Sequence, residues 1–145
     1  MSDADNEPRS LERLKTRMPP FMEILNGELV ELDHDKSAAT FHFNIGKEPC
    51  HSVDVVQGGF ITAMLDTAMS HAVFGVDDTV VGLSSLEIST RYLDVARAGF
   101  LVATGKVTRM SYKTAFLEGT LCDGDGKLLA TTHSVGKVIR KKVAA

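Results

Sequence analysis

The chain has 145 residues, of which 24% are charged and 43% apolar, and its net charge is −3. That length suits one domain around one core, and that balance is ordinary for a soluble globular protein. It gives no general attraction to nucleic acid or to an anionic membrane, although a local basic site for a phosphorylated ligand stays compatible with it. The two cysteines, Cys50 and Cys122, lie far apart and form no CxxC pair. The N-terminus, MSDADNEPRS, is acidic and polar, unlike a signal peptide. Both features point to a reduced, cytoplasmic protein. No apolar run is read as reaching the ~18 residues of a membrane span.

Residues 1–8 read as frayed. The stretch RSLERLKTRM predicts a short helix, capped by Ser10 and stopped by Pro19 and Pro20, with ERLKTR as its solvated face. From Phe21 onward, MEILNGELVELD and KSAATFHFNI predict an antiparallel hairpin turned near Asp33 to Lys36. In it Ala39, Phe41, Phe43 and Ile45 alternate with Thr40, His42 and Asn44. Residues 46–56 read as a loop.

A helix is expected from about Gly58 to Phe74, ended by Gly75, Asp77 and Asp78. Four strands follow: TVVGLSSLEISTRYL, Gly99–Met110, Tyr112–Cys122 and Lys127–Arg140, with DGDG as a tight turn before the last. The order is therefore two strands, one long helix and four strands. A helix that reads as apolar all round needs cover on all sides, and a single curved antiparallel sheet supplies most of it. Its long apolar edges predict at least a dimer.

Within VVQGGFITAMLDTAMSHAV, a Gly-Gly pair opens the helix and one carboxylate, Asp66, interrupts it. The segment QGGFITAMLD, the strand GLSSLEISTRYL with the turn at residues 98–99, and the hairpin DGDGKLLATTHSVGKV together resemble the hotdog acyl-CoA thioesterases. The likeness is to the PaaI-type branch of the 4-hydroxybenzoyl-CoA thioesterase superfamily. The resemblance implies an α+β hotdog fold, a curved antiparallel sheet wrapped around one long central helix. It places an N-terminal extension with a short helix at 1–20, the hotdog domain at 21–140 and a basic tail at 141–145. Three positions depart from the branch: Gln57 replaces the usual His, His51 stands where Asn is frequent, and Val95 replaces a Pro.

The implied reaction is hydrolysis of an aryl, phenylacetyl-like or medium-chain acyl-CoA to free acid and CoA. No metal or redox cofactor is expected, coenzyme A being part of the substrate. Thioester hydrolysis needs an oxyanion site and either a base for water or an attacking carboxylate. A helix N-terminus offers free N–H groups, and glycine lets a ligand approach them. Gly58 or Gly59 fits that role, with Gln57 as a side-chain helper. Asp66 is the expected catalytic carboxylate, and Ser70, one turn later on the same face, could hold the water.

Asp66 lies eight residues beyond Gly58, roughly 12 Å along a helix. One carbonyl cannot reach both, so the expectation is a composite site, two per dimer, with the acid of one subunit facing the glycine end of the other. The family implies a homotetramer, a dimer of dimers, and a site role for Ser84 or Ser85. It places the nucleotide part of CoA near Arg109, Ser111 and Lys113, with Arg91 a further cation. His51 is a candidate substrate contact. His71 reads as packing, and the other histidines and the cysteines lack metal-ligand spacing. Two other readings stay open: a hotdog hydratase or dehydratase, and a non-catalytic acyl-CoA-binding protein.

Overall fold

The computed structural model describes residues 9–142. The frayed reading of residues 1–8 and the last residues of the basic tail, 143–145, lie outside the described residues. Ser10 caps α1 (Leu11–Lys15), its Oγ accepting from the Arg13 N–H at 3.2 Å. Four residues that the alternating pattern assigned to the first strand, Met22–Leu25, form a helical turn instead, α2. Met22 and Leu25 are spaced by three and both are buried, which helical geometry satisfies and a strand does not. Asn26, left-handed at φ 48°, ends the turn and lets the chain enter a strand at Gly27.

The strands are β1 (Gly27–Asp33), β2 (Ala38–Ile45), β3 (Cys50–Ser52), β4 (Val55–Val56), β5 (Val80–Tyr92), β6 (Gly99–Met110), β7 (Thr114–Asp123) and β8 (Leu128–Arg140), with α3 (Gly58–Val76) between β4 and β5. Six of them form one sheet in the order β1-β2-β6-β7-β8-β5, every neighbouring pair antiparallel. The segment read as a plain loop carries the small β3–β4 ladder. In β2, Ala39, Phe41, Phe43 and Ile45 all point into the core, as their alternation predicts. In the DGDG turn, Asp123 Oδ1 accepts from the Asp125 and Lys127 N–H groups at 2.9 Å, and Gly126 takes φ 85°. This is the hotdog architecture that the resemblance implies.

Helix α3 runs two residues further than expected, through Gly75 to Val76. Its 19 residues are, by length and composition, long and apolar enough to cross a bilayer, so the expectation that no segment is does not hold for it. Nor is it sealed on every side. Ile61, Met64, Leu65, Ala68, Met69, Ala72 and Val73, spaced by three and four, press onto the sheet. The opposite side, with Asp66 and Ser70, is only partly covered, because one sheet reaches one face of a helix.

The tightest sheet–helix contact is at Gly105 of β6. A methyl group there would collide with the backbone of Ala68 and Met69. Main chain cannot swing aside as a side-chain tip can. Gly105→Ala is therefore expected to lower stability by about 1–3 kcal/mol or more, read as a drop in the urea midpoint at unchanged slope. β5 is a long outer strand of the sheet, with Val81, Leu86 and Tyr92 each about half exposed or more.

Candidate active site

The predicted catalytic residues fall into two groups at different places on the chain. The first surrounds the start of α3. Gln57 is its N-cap, extended at φ −67°, ψ 137°. Its Oε1 accepts from the Gly59 N–H at 2.7 Å and from the Phe60 N–H at 3.3 Å. Since both donors are backbone N–H, the amide oxygen must face the helix and Nε2 must point away as a donor. Of the two glycines, Gly59 thus has its N–H occupied. The Gly58 N–H has no acceptor among the described residues.

Gly58 opens on a hollow of about 480 Å³ that Tyr92, Leu93 and Val95 also line. The Tyr92 hydroxyl donates to the Gly58 carbonyl at 2.8 Å and lies 3.0 Å from Thr62 Oγ1. Sequence reasoning missed this tyrosine. The signal was present in STRYL, an aromatic residue ending a polar strand, but only the register brings it to the helix start. His51, exposed on β3, bonds through Nδ1 to Ser52 Oγ at 2.8 Å. Asp54 is instead held by Arg97 at 2.7 Å, so His51, Ser52 and Asp54 form no triad.

The second group lies further along α3. Asp66 and Ser70 face a cavity of about 390 Å³, together with Thr67, His71 and Phe74. Ser85 Oγ donates to Asp66 Oδ1 at 3.4 Å from β5. Burial pushes the Asp66 carboxyl above the usual carboxylate range, and the Ser85 hydroxyl only partly opposes this. Ser84 makes no such side-chain hydrogen bond among the described residues. His71 donates from Nδ1 to the Thr67 carbonyl at 2.9 Å and packs edge-on against Phe41 and Phe74. Burial holds its imidazole below the ordinary value, so it is neutral at pH 7.

The far wall of this cavity is the N-terminal segment: Arg9, Leu14, Arg17, Pro19 and Phe21. The solvated-face reading of ERLKTR left Arg17 out. The stripe Leu11, Leu14, Met18, spaced by three and four and packed on the core, was the signal that this segment docks.

Arg109, Ser111 and Lys113 are exposed around the β6–β7 turn, where Ser111 Oγ caps the Thr114 N–H at 3.2 Å. Register places this turn level with the serine pair: Thr114 pairs with Lys137, which pairs with Ser84. Arg91 is exposed on β5. Both cysteines are free, and among the described residues no three His, Cys, Asp or Glu side chains are grouped to hold a metal.

One chain therefore carries a hollow beside Gly58 at the start of α3 and a cavity at Asp66, about 12 Å apart along one helix. Residues 54–130 match the family model of the thioesterase superfamily. The chain is 26% identical over 113 residues to an uncharacterized Schizosaccharomyces pombe protein, a stretch that covers 78% of this chain and 61% of that protein.

Among solved structures, it is similar to a phenylacetic acid degradation-related protein of Ralstonia eutropha, at TM-score 0.80 and 24% identity, covering 90% of this chain and 100% of that one. It is also similar to the E. coli PaaI protein from the phenylacetic acid degradation operon, at TM-score 0.79 and 15% identity, covering 92% and 94%. A third is smu.793 of Streptococcus mutans bound to acetyl CoA, at TM-score 0.71 and 16% identity, covering 81% and 92%.

Proposed function

The chain belongs to the thioesterase superfamily, and from that membership we propose that it hydrolyses acyl-CoA thioesters at a site shared between two subunits. The observation that carries the proposal is the division of the chemistry into two hollows. The Gly58 N–H and Gln57 Nε2 have no acceptor among the described residues and stand at the positive end of a helix, suited to a developing oxyanion. Asp66 is a half-buried carboxylate beside a hydroxyl, suited to water activation or direct attack.

Neither half completes the other within one chain. A second copy, its α3 antiparallel to the first, brings them together and covers the β5 edge with its exposed Val81, Leu86 and Tyr92. The acetyl CoA held by smu.793 supports the substrate class. Arg109 and Lys113 supply charge for the CoA phosphates at the cleft mouth. The test is thiol release from aromatic and aliphatic acyl-CoAs by the purified protein. Turnover supports the proposal; no release from any of them by a folded oligomer contradicts it.

The proposal also fixes a pH dependence. The carboxylate form of Asp66 is the working form, and burial raises its pKa. Activity is expected to fall on acidification with a midpoint above the ~4 of an ordinary aspartate. A pH profile of kcat between 4 and 9 reads that limb directly.

A further inference from the structure

We infer that Arg17 of the N-terminal segment receives a carboxylate at the far end of the acyl group, so that the favoured substrates are thioesters of acyl chains ending in an anion. This rests on the thioesterase reading above and names its substrate class.

The cavity that begins at Asp66 continues along α3 to Phe74, eight residues or about 12 Å further on. At that end stands Arg9, 2% exposed. Its guanidinium donates to the carbonyls of Phe74 at 3.3 Å, Asp78 at 2.7 Å and Val80 at 2.6 Å, and its buried Nε has no partner among the described residues. Burial first, then the charges of Arg17 and Arg13, lower the pKa of Arg9, while Asp78 and Asp77 oppose this.

Neither nearby acid pairs with Arg17. Asp77 is engaged by Arg140 at 2.6 Å. Asp78 stands 4.0 Å from Arg13, with its other oxygen buried and without a partner among the described residues. Arg17 faces the cavity and forms no ion pair among the described residues. Leu14, Phe74 and Val81 make the rest of that wall apolar. A methyl-ended acyl chain would meet that wall and leave Arg17 without an ion pair. A chain ending in carboxylate would pair with Arg17.

The CoA phosphates are the other anion a substrate brings, so the test separates the two. Adipyl and hexanoyl thioesters, each on CoA and on pantetheine, are compared with wild type, Arg17→Ala and Arg17→Lys. Arg17 is exposed at the side chain and outside the core, so these variants keep the fold. The expected result is that Arg17→Ala lowers kcat/KM for adipyl about 10- to 100-fold, mainly through KM, on both carriers. Hexanoyl turnover stays unchanged, and Arg17→Lys retains part of the adipyl preference.

Equal loss for both acyl groups, loss confined to the CoA thioesters, or no loss overturns the inference. Binding of the uncleavable carboxypentyl and hexyl thioethers of pantetheine reads the same preference without turnover. Absence of cleavage with a preserved binding difference sinks the hydrolase reading alone; absence of a binding difference sinks this inference.

Discussion

Asp66→Asn is expected to lower kcat for acyl-CoA hydrolysis by about 100- to 10,000-fold, with the fold and the oligomeric state intact. The amide matches the carboxyl in shape and can still accept from Ser85, so packing survives while the base is lost. The same substitution should make the protein more stable at neutral pH. Asp66 has a folded-state pKa raised by burial, so its contribution to stability is fully present below the unfolded pKa and is lost as pH rises through the folded one. Removing the charge removes that loss. The pair of measurements is kcat by thiol release and the thermal midpoint at pH 5 and pH 8. A variant that is slower and, at pH 8, more stable than wild type fits a functional acid kept at a cost to the fold. Unchanged turnover would take Asp66 out of the mechanism.

Gly58→Pro deletes the other half of the site by removing one hydrogen atom's worth of chemistry, the free N–H. Proline is well tolerated at the first position of a helix, where the N–H has no intrahelical partner. The preceding Gln57 is already in the extended conformation that proline demands of its neighbour. The added ring carbons approach the Tyr92 ring, where a Cβ would lie 3.1 Å away, but Tyr92 is 52% exposed and has room to yield. The helix should therefore persist by circular dichroism, while kcat falls about 100- to 1,000-fold, as for loss of one oxyanion donor. A variant with wild-type kcat would show that the Gln57 amide alone serves the carbonyl.

Much of this arrangement is legible in the sequence because it rests on local rules. Alternation in AATFHFNI marks a strand with one buried face, DGDG marks the turn between β7 and β8 by the φ angles glycine permits, and QGG marks a helix start with free donors. Asp66 stands out because a carboxylate on an apolar helix needs a reason.

What escaped depends on distant parts of the chain meeting. Tyr92 reaches Gly58 only through the register of β5, which no local pattern encodes. The choice between Gly58 and Gly59 turned on which N–H the Gln57 side chain takes, a matter of one rotamer. Met22–Leu25 is too short for periodicity to separate a helical turn from a strand. The N-terminal segment looked like a solvated helix because five charged positions in ERLKTR and its flanks outweigh the stripe of Leu11, Leu14 and Met18 that seats it on α3. That docking is what turns Arg17 from a surface charge into a wall of the cavity.

The composite site is tested most directly by mixing its two broken halves. Asp66→Asn and Gly58→Pro chains, each inactive alone, are co-expressed in equal amounts, purified together and assayed for thiol release. If each site takes its donor from one subunit and its carboxylate from the other, random pairing joins an intact Gly58 to an intact Asp66 in about one site in four, so about a quarter of wild-type activity returns. If both halves act within one chain, every chain carries a defect, and the mixture stays as inactive as its parents.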